Sequence, residues 1–166
     1  MSTVWVSIGS NIERTLNLRG ALSGLRRAFG FVCVSQVYET AAVGFEGADF
    51  YNLVARFETS EKPERVLTRL QGIEAKHERE RTGPKFGSRT LDIDMLLYDA
   101  LTGDVAGKPL PHPDILKYPF VLGPLAELNP DGVHPVLHRS FKDLWLDRPH
   151  NERARLRPVP FHWLQG

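Results

Sequence analysis

Residues 89–98 read RTLDIDMLLY. Leu91, Ile93 and Met95 alternate with Thr90, Asp92 and Asp94, the period of a strand with one buried face. Successive side chains of a strand point to opposite sides, so the apolar set meets a core while Asp92 and Asp94 share the other face. The segments upstream set what that core is. Residues 60–79 carry Val66, Leu70, Ile73 and His77 on one helical stripe and Gln71, Glu74 and Glu78 on another, with Pro63 near the start, where its missing N–H costs nothing. Before this helix, FYNLVARFE at 50–58 alternates again. Tyr51, Leu53, Ala55 and Phe57 form its apolar set, which leaves Phe50 and Asn52 on the opposite face.

Further towards the N-terminus, residues 41–49 hold two glycines and no period, and read as a connecting loop. The stretch 31–39, FVCVSQVYE, is rich in β-branched and aromatic residues and predicts one strand. From Ile12 to Phe29, apolar residues recur at helical spacing (Leu18, Ala21, Leu22, Leu25), and Gly30 supplies a stop. Ser10, three residues ahead of Glu13, predicts a capping box at the start of this helix. TVWVSI at 3–8 alternates as a first strand. The order strand-helix-strand-strand-helix-strand is the split βαβ of α+β, ferredoxin-like folds, an antiparallel sheet with helices on one face. Beyond residue 100 prolines are frequent, which predicts loop with short helices near 119–128 and 140–146. From about residue 148 the chain reads as an extended tail packed by Phe161 and Trp163, and the whole of 1–166 as a single domain without internal repeats.

On the face away from the helices, Asp92, Asp94, Phe50 and Asn52 converge. Carboxylates at i and i+2 of a strand sit about 6.5–7 Å apart at Cα, close enough to share one magnesium ion or a pair. Taken alone, Asp-x-Asp is the solvated face of an antiparallel sheet. The residues running into it shift that balance: Lys76, Arg79, Arg81, Lys85 and Arg89 stand against only Glu78 and Glu80. Cations beside metal-binding carboxylates suit a polyphosphate. Neither G-x-x-x-x-G-K-[ST] nor G-x-G-x-x-G occurs, so side chains and metal rather than a glycine loop must hold the phosphates. CxxC, HExxH and a serine nucleophile elbow are absent as well, which leaves zinc and covalent chemistry without support.

Composition sets the bounds. With 42% hydrophobic residues, 25% charged residues and a formal net charge of +1, the chain reads as an ordered globular protein without a broad nucleic-acid surface or a membrane span. Its single cysteine, Cys33, lies in an apolar run and reads as a small buried filler. A soluble, reducing, cytoplasmic setting is expected, with small-molecule ligands and no obligate protein partner.

The run Lys85-Phe86-Gly87-Ser88-Arg89-Thr90-Leu91-Asp92-Ile93-Asp94-Met95-Leu96 resembles the signature of the 6-hydroxymethyl-7,8-dihydropterin pyrophosphokinases of folate biosynthesis. The likeness extends from Gly9-Ser10-Asn11 through Phe50-Tyr51-Asn52 and Gln71-x-x-Glu74 to Leu110-Pro111-His112-Pro113 and Phe120-Val121-Leu122-x-Pro124-Leu125. It implies a ferredoxin-like sheet and transfer of pyrophosphate from ATP to the pterin hydroxymethyl group by in-line attack on the β-phosphorus, releasing AMP. By resemblance, Asp92 and Asp94 bind two magnesium ions, Arg79 and Arg89 lie against the phosphates, and His112 contacts them from the other side. Gln71, Glu74, Arg81, Lys85 and Met95 then fall in the nucleotide region. Phe50 and Phe120 sandwich the pterin, Asn52 bonds its edge, and the backbone from Thr40 to Val43 assists. Thr82, Phe86, Gly107 and Tyr118 depart from residues frequent in the family; they spare the metal ligands and thin the charge over the nucleotide. Two further readings stand beside this one: a catalytically weak paralogue that binds a pterin or nucleotide, and a ferredoxin-like regulatory module.

Overall fold

The computed structural model describes residues 1–42, 47–79 and 91–163. Its central sheet is antiparallel throughout. β1 (Ser2–Ser10) lies between β4 (Phe50–Thr59) and the edge strand β5 (Asp92–Tyr98), and β4 also pairs β2 (Val32–Val34) and β3 (Val37–Thr40). The helices α1 (Arg14–Phe29) and α2 (Pro63–Arg79) pack on one face. Between them and the sheet, Val4, Val6, Ile8, Leu53, Ala55, Phe57, Ile93 and Met95 are buried, as alternation requires. Truncating a fully buried residue of this set, Leu53 for instance, costs about 2–5 kcal/mol.

Several expectations are corrected. The strand expected over 31–39 divides at Ser35 and Gln36. There the Ser35 Oγ accepts the Val54 N–H at 3.0 Å and the Ser35 N–H reaches the Val54 carbonyl at 2.9 Å, so side chain and main chain together replace the ladder. The Ser10–Glu13 capping box does not form. β1 continues to Ser10, whose hydroxyl instead donates to the Ile12 carbonyl at 2.9 Å. Glu13 occupies the left-handed region at φ 41° and precedes the first helical residue, Arg14. Asn17 closes this entry by donating to the same Ile12 carbonyl at 2.6 Å, and its Oδ1 lies 2.8 Å from Nδ1 of His77 on α2. Gly20 accommodates that imidazole, since a Cβ there would come within 2.2 Å of it. Cys33 is half-buried rather than fully buried.

The second face of the sheet is not bare. α3 (Asp114–Lys117), α4 (Pro119–Leu128) and α5 (Phe141–Leu146) follow a short hairpin, β6 (Gly103–Val105) and β7 (Lys108–Leu110). They cover part of that face with a second core of Trp5, Val54, Leu96, Leu97, Leu122, Leu125 and Phe141. Glu127 fixes α4 to β3 by accepting from the Tyr38 hydroxyl and, at 2.9 Å, from the Gln36 N–H. Burial, then that carboxylate, pushes the Tyr38 phenol well above its ordinary range. The C-terminal stretch is likewise not simply extended. It forms α6 (His150–Arg155) and then β8 (Pro158–Val159), which pairs with β3 and extends the sheet. Among the described residues no helix is long and apolar enough to cross a membrane.

Candidate functional site

Beside this second core the same face holds a cleft of about 170 Å³ whose lining includes Ser7, Gly9, Thr40, Phe50, Asn52, Asp92, Asp94, Tyr118 and Phe120. Register explains the convergence. Gly9 in the middle strand stands opposite Asp92 on one side and Asn52 on the other, while Ser7 stands opposite Asp94 and Val54. Directly paired residues share a face, so one row across three strands runs carboxylate, glycine, amide. Gly9 keeps that row open, because a Cβ there would meet Asn52 Oδ1 at 3.0 Å and the Phe50 ring at 3.7 Å. Thr40, paired with Phe50, accepts from Asn52 Nδ2 at 2.6 Å and fixes the amide.

Phe120 enters from the first turn of α4, where Pro119 takes the position that needs no N–H. Tyr118 stacks on it with ring centroids 4.9 Å apart and planes 20° from parallel. The cleft thus has an aromatic end and an acidic end. At the acidic end a bulge helps. β5 has one extra residue between the pairs Val6–Met95 and Trp5–Leu97, namely Leu96, and the Leu96 carbonyl accepts the His112 N–H at 2.9 Å. This docks the 110–114 segment on the edge strand. Side-chain ligand atoms of Asp94, His112 and Asp114 then lie within 4.8 Å of one another.

Four carboxylates meet here. Glu74 reaches from α2, accepts the Ile93 N–H at 2.7 Å and has the Asp92 carboxyl as its neighbour. Burial, with Asp92 beside it, pushes Glu74 up to about 7, and burial, then the Asp92 charge, pushes Asp94 up to about 6. A set of hard oxygen donors whose charges repel when ionised suits a divalent cation such as magnesium. The linkage follows directly. Both groups bind protons more tightly folded than unfolded, so their stabilisation is complete only below their ordinary values of 3.8 and 4.5 and is lost as pH rises from there through 6–7. In chelator-treated protein the thermal midpoint is therefore expected to fall from pH 5 to pH 8 by a few degrees, equivalent to about 1 kcal/mol or more. Magnesium at pH 8 should recover it, and Glu74→Gln should flatten the slope. A midpoint that rises over this range in the wild type, with no response to magnesium, would contradict the assignment.

Of the residues singled out from sequence, the structure brings Thr40, Phe50, Asn52, Asp92, Asp94 and Phe120 into one cleft, with Glu74 and His112 against its acidic end. Gln71 is solvent-exposed and outside the lining. The Met95 side chain is buried in the first core, so a nucleotide can meet that residue only through its main chain. Lys76 lines a groove between α1 and α2 instead of approaching the carboxylates. Val43, Arg81, Lys85, Arg89 and the Arg79 side chain lie outside the described residues. Sequence reading missed Asp114 and the role of Gly9, and it took Tyr118 for a loss of charge over the nucleotide, whereas its ring stacks on Phe120 in the cleft. For Asp114 a signal existed, an acid two residues after His112; for Gly9 and Tyr118 only the cross-strand register and the start of α4 reveal the role.

Residues 5–130 match the family model described as 7,8-dihydro-6-hydroxymethylpterin-pyrophosphokinase. The chain is 32% identical over 145 residues to the 2-amino-4-hydroxy-6-hydroxymethyldihydropteridine pyrophosphokinase of Aquifex aeolicus, covering 86% of this chain and 90% of that protein. It is 38% identical to the Synechocystis protein of the same name over 133 residues, 78% of this chain and 68% of that one. Among solved structures, wild-type HPPK-DHPS of Plasmodium falciparum aligns with a TM-score of 0.70 at 15% identity, over 87% of this chain and 44% of that one. That likeness is one of fold.

Proposed function

The chain belongs to the 7,8-dihydro-6-hydroxymethylpterin-pyrophosphokinase family, and from that premise we propose how its cleft serves the reaction. The enzyme transfers pyrophosphate from ATP to the hydroxymethyl group of 6-hydroxymethyl-7,8-dihydropterin and releases AMP, a step of folate biosynthesis. The observation that carries the assignment of residues is the single row Asp92, Gly9, Asn52, with aromatic residues at one end and carboxylates at the other.

The pterin lies over Gly9 between Phe50 and Phe120, stacked on both rings. Asn52, its amide oriented by Thr40, bonds the heterocycle edge. The hydroxymethyl group then points along the row towards Asp92 and Asp94. Its oxygen forms a bond to the β-phosphorus, the bridging bond to the α-phosphate breaks, AMP departs and the hydroxyl proton is released. Asp92 and Asp94 are the residues that would hold magnesium, two ions by the family pattern; the metal's contribution when bound is neutralisation of polyphosphate charge. Glu74, anchored on the Ile93 N–H beside Asp92, supports that strand from behind as an outer partner. His112, Arg79, Arg81, Lys85, Arg89 and Gln71 serve the nucleotide. Holding two reactants in line converts a bimolecular step into a local one, and little covalent chemistry is asked of the protein. We place the reaction in the cytoplasm and treat residues 1–166 as one functional domain.

Replacing Phe120 by Ala removes one wall of the aromatic end and leaves the carboxylates untouched. The dissociation constant for the pterin is expected to rise at least about tenfold, equivalent to the loss of one stacking contact with its buried area. That for a magnesium–ATP analogue should change less than about twofold on the same scale. Equal losses in both affinities would make Phe120 a core residue of α4.

A further inference from the structure

Behind the strand ends that carry Thr40 and Phe50 lies a cluster with no part in the roles above. Glu39 and Tyr51 face each other across β3 and β4, each one residue from a cleft residue, and so point to the helix side. Arg14, the first residue of α1, lies over the Tyr51 ring at 3.8 Å, pairs with Glu39 at 2.6 Å and donates to the Asp49 carbonyl at 3.2 Å. One guanidinium thereby ties β3, β4 and the residue preceding β4 to the start of α1. Asn11 adds a parallel tie by donating to the Ala48 carbonyl at 3.1 Å.

The C-terminal segment completes the arrangement. Phe161 meets the Tyr51 ring edge-on, with centroids 6.0 Å apart and planes at 87°, and packs in turn on Trp163 at 4.5 Å. That segment is fixed by β8 on β3 and by Arg19, whose Nε donates to the His162 carbonyl at 2.7 Å. Partly exposed ion pairs contribute little to stability. The Arg14–Glu39 pair is of that kind, with side chains 28% and 38% exposed, yet the three partners of Arg14, namely Glu39, Tyr51 and Asp49, each adjoin Thr40 or Phe50 of the cleft.

We infer that Arg14, backed by Tyr51 and Phe161, is a positioning residue for the pterin half of the site, and that the segment 158–163 thereby takes part in pterin recognition. The inference rests on the reading of Thr40, Phe50 and Asn52 as pterin contacts. Stacking walls and an edge-reading amide must be held to a fraction of an ångström by the residues behind them. A planar guanidinium meets the demand because it stacks on a ring and forks two donors at once; a lysine ammonium offers a point charge without the plane.

Steady-state kinetics on the full-length chain, varying the pterin and magnesium–ATP separately, together with direct titration of the pterin, test this. Arg14→Ala is expected to raise the pterin KM about tenfold, the order that sub-ångström misplacement produces. The ATP KM should hold within about twofold on the same scale, and Arg14→Lys should recover only part of the loss. Glu39→Gln, nearly isosteric and mild for folding, and Phe161→Ala should shift the pterin KM in the same direction. The Arg14→Ala, Phe161→Ala pair should lose less than the product of the single effects, since both act through Tyr51. Equal rises in both KM values, or a fall in thermal midpoint with both KM values unchanged, would overturn the inference. If the wild type itself fails to bind pterin, the reading of the cleft falls and the inference with it; if the wild type binds and Arg14→Ala binds equally well, the inference alone falls.

Discussion

Asp92→Asn and Asp94→Asn are each expected to lower AMP release by at least about 10³-fold, the several kcal/mol that loss of a charge-neutralising metal ligand removes from transition-state stabilisation. The fold should survive. Both side chains stand on the cleft face opposite the first core, so neither change opens a cavity there. Burial chiefly pushes Asp94 up to about 6 and Glu74 up to about 7, and removal of one charge relieves the repulsion that adds to it. The metal-free variants are accordingly expected to melt at or above the wild-type temperature at pH 8, and their midpoints should no longer rise when magnesium is added. Function and stability then move in opposite directions. A pair of merely solvated aspartates would leave turnover intact, and a pair serving a structural hydrogen-bond network would lose turnover and melting temperature together. Measuring AMP release and thermal unfolding on the same two proteins separates these outcomes.

Gly9→Val should be nearly as damaging for a different reason. The glycine is the floor of the cleft, with Asp92 and Asn52 paired to it on either side. A Cβ would already press Asn52 Oδ1 at 3.0 Å and approach Phe50 at 3.7 Å, and valine adds two methyl groups to it. The amide then turns away from Thr40, and the space for a flat ring between Phe50 and Phe120 narrows. We expect kcat/KM to fall by about 10²-fold or more, as ångström-scale misplacement of reactants does. A β-branched residue suits a strand, so the melting temperature should stay within a few degrees. Turnover close to wild type would mean that the substrate does not cross this row.

Much of this arrangement was legible in the sequence because it depends on period two. Alternation in 3–8, 50–58 and 89–98 sorts the core set from Asp92, Asp94, Phe50 and Asn52 without reference to tertiary structure, and the two long helices follow from their apolar spacing. What escaped depends on partners far along the chain. The break at Ser35 arises from bonds to Val54 across the sheet. The bulge at Leu96 shows only in the register between β1 and β5, and with it the docking of His112. The Ser10–Glu13 spacing suggested a cap, yet the strand ladder with β4 continues through Ser10 and delays the helix to Arg14. Tertiary pairing overrode the local signal. Proline density after residue 100 correctly implied short elements, but not that α4 and α5 would bury Trp5 and Val54 on the second face. The strand read over 3–8 stops short of Gly9, yet β1 runs on to Ser10, and the missing side chain of Gly9 makes the cleft.

The most direct test of the central claim is AMP formation by the purified chain supplied with ATP, magnesium and 6-hydroxymethyl-7,8-dihydropterin. The expected result is one AMP per pterin pyrophosphorylated, with none formed when the pterin is omitted or magnesium is chelated, and with Asp94→Asn inactive under the same conditions. Release of ADP in place of AMP, or AMP formation at an undiminished rate in Asp94→Asn, would contradict it.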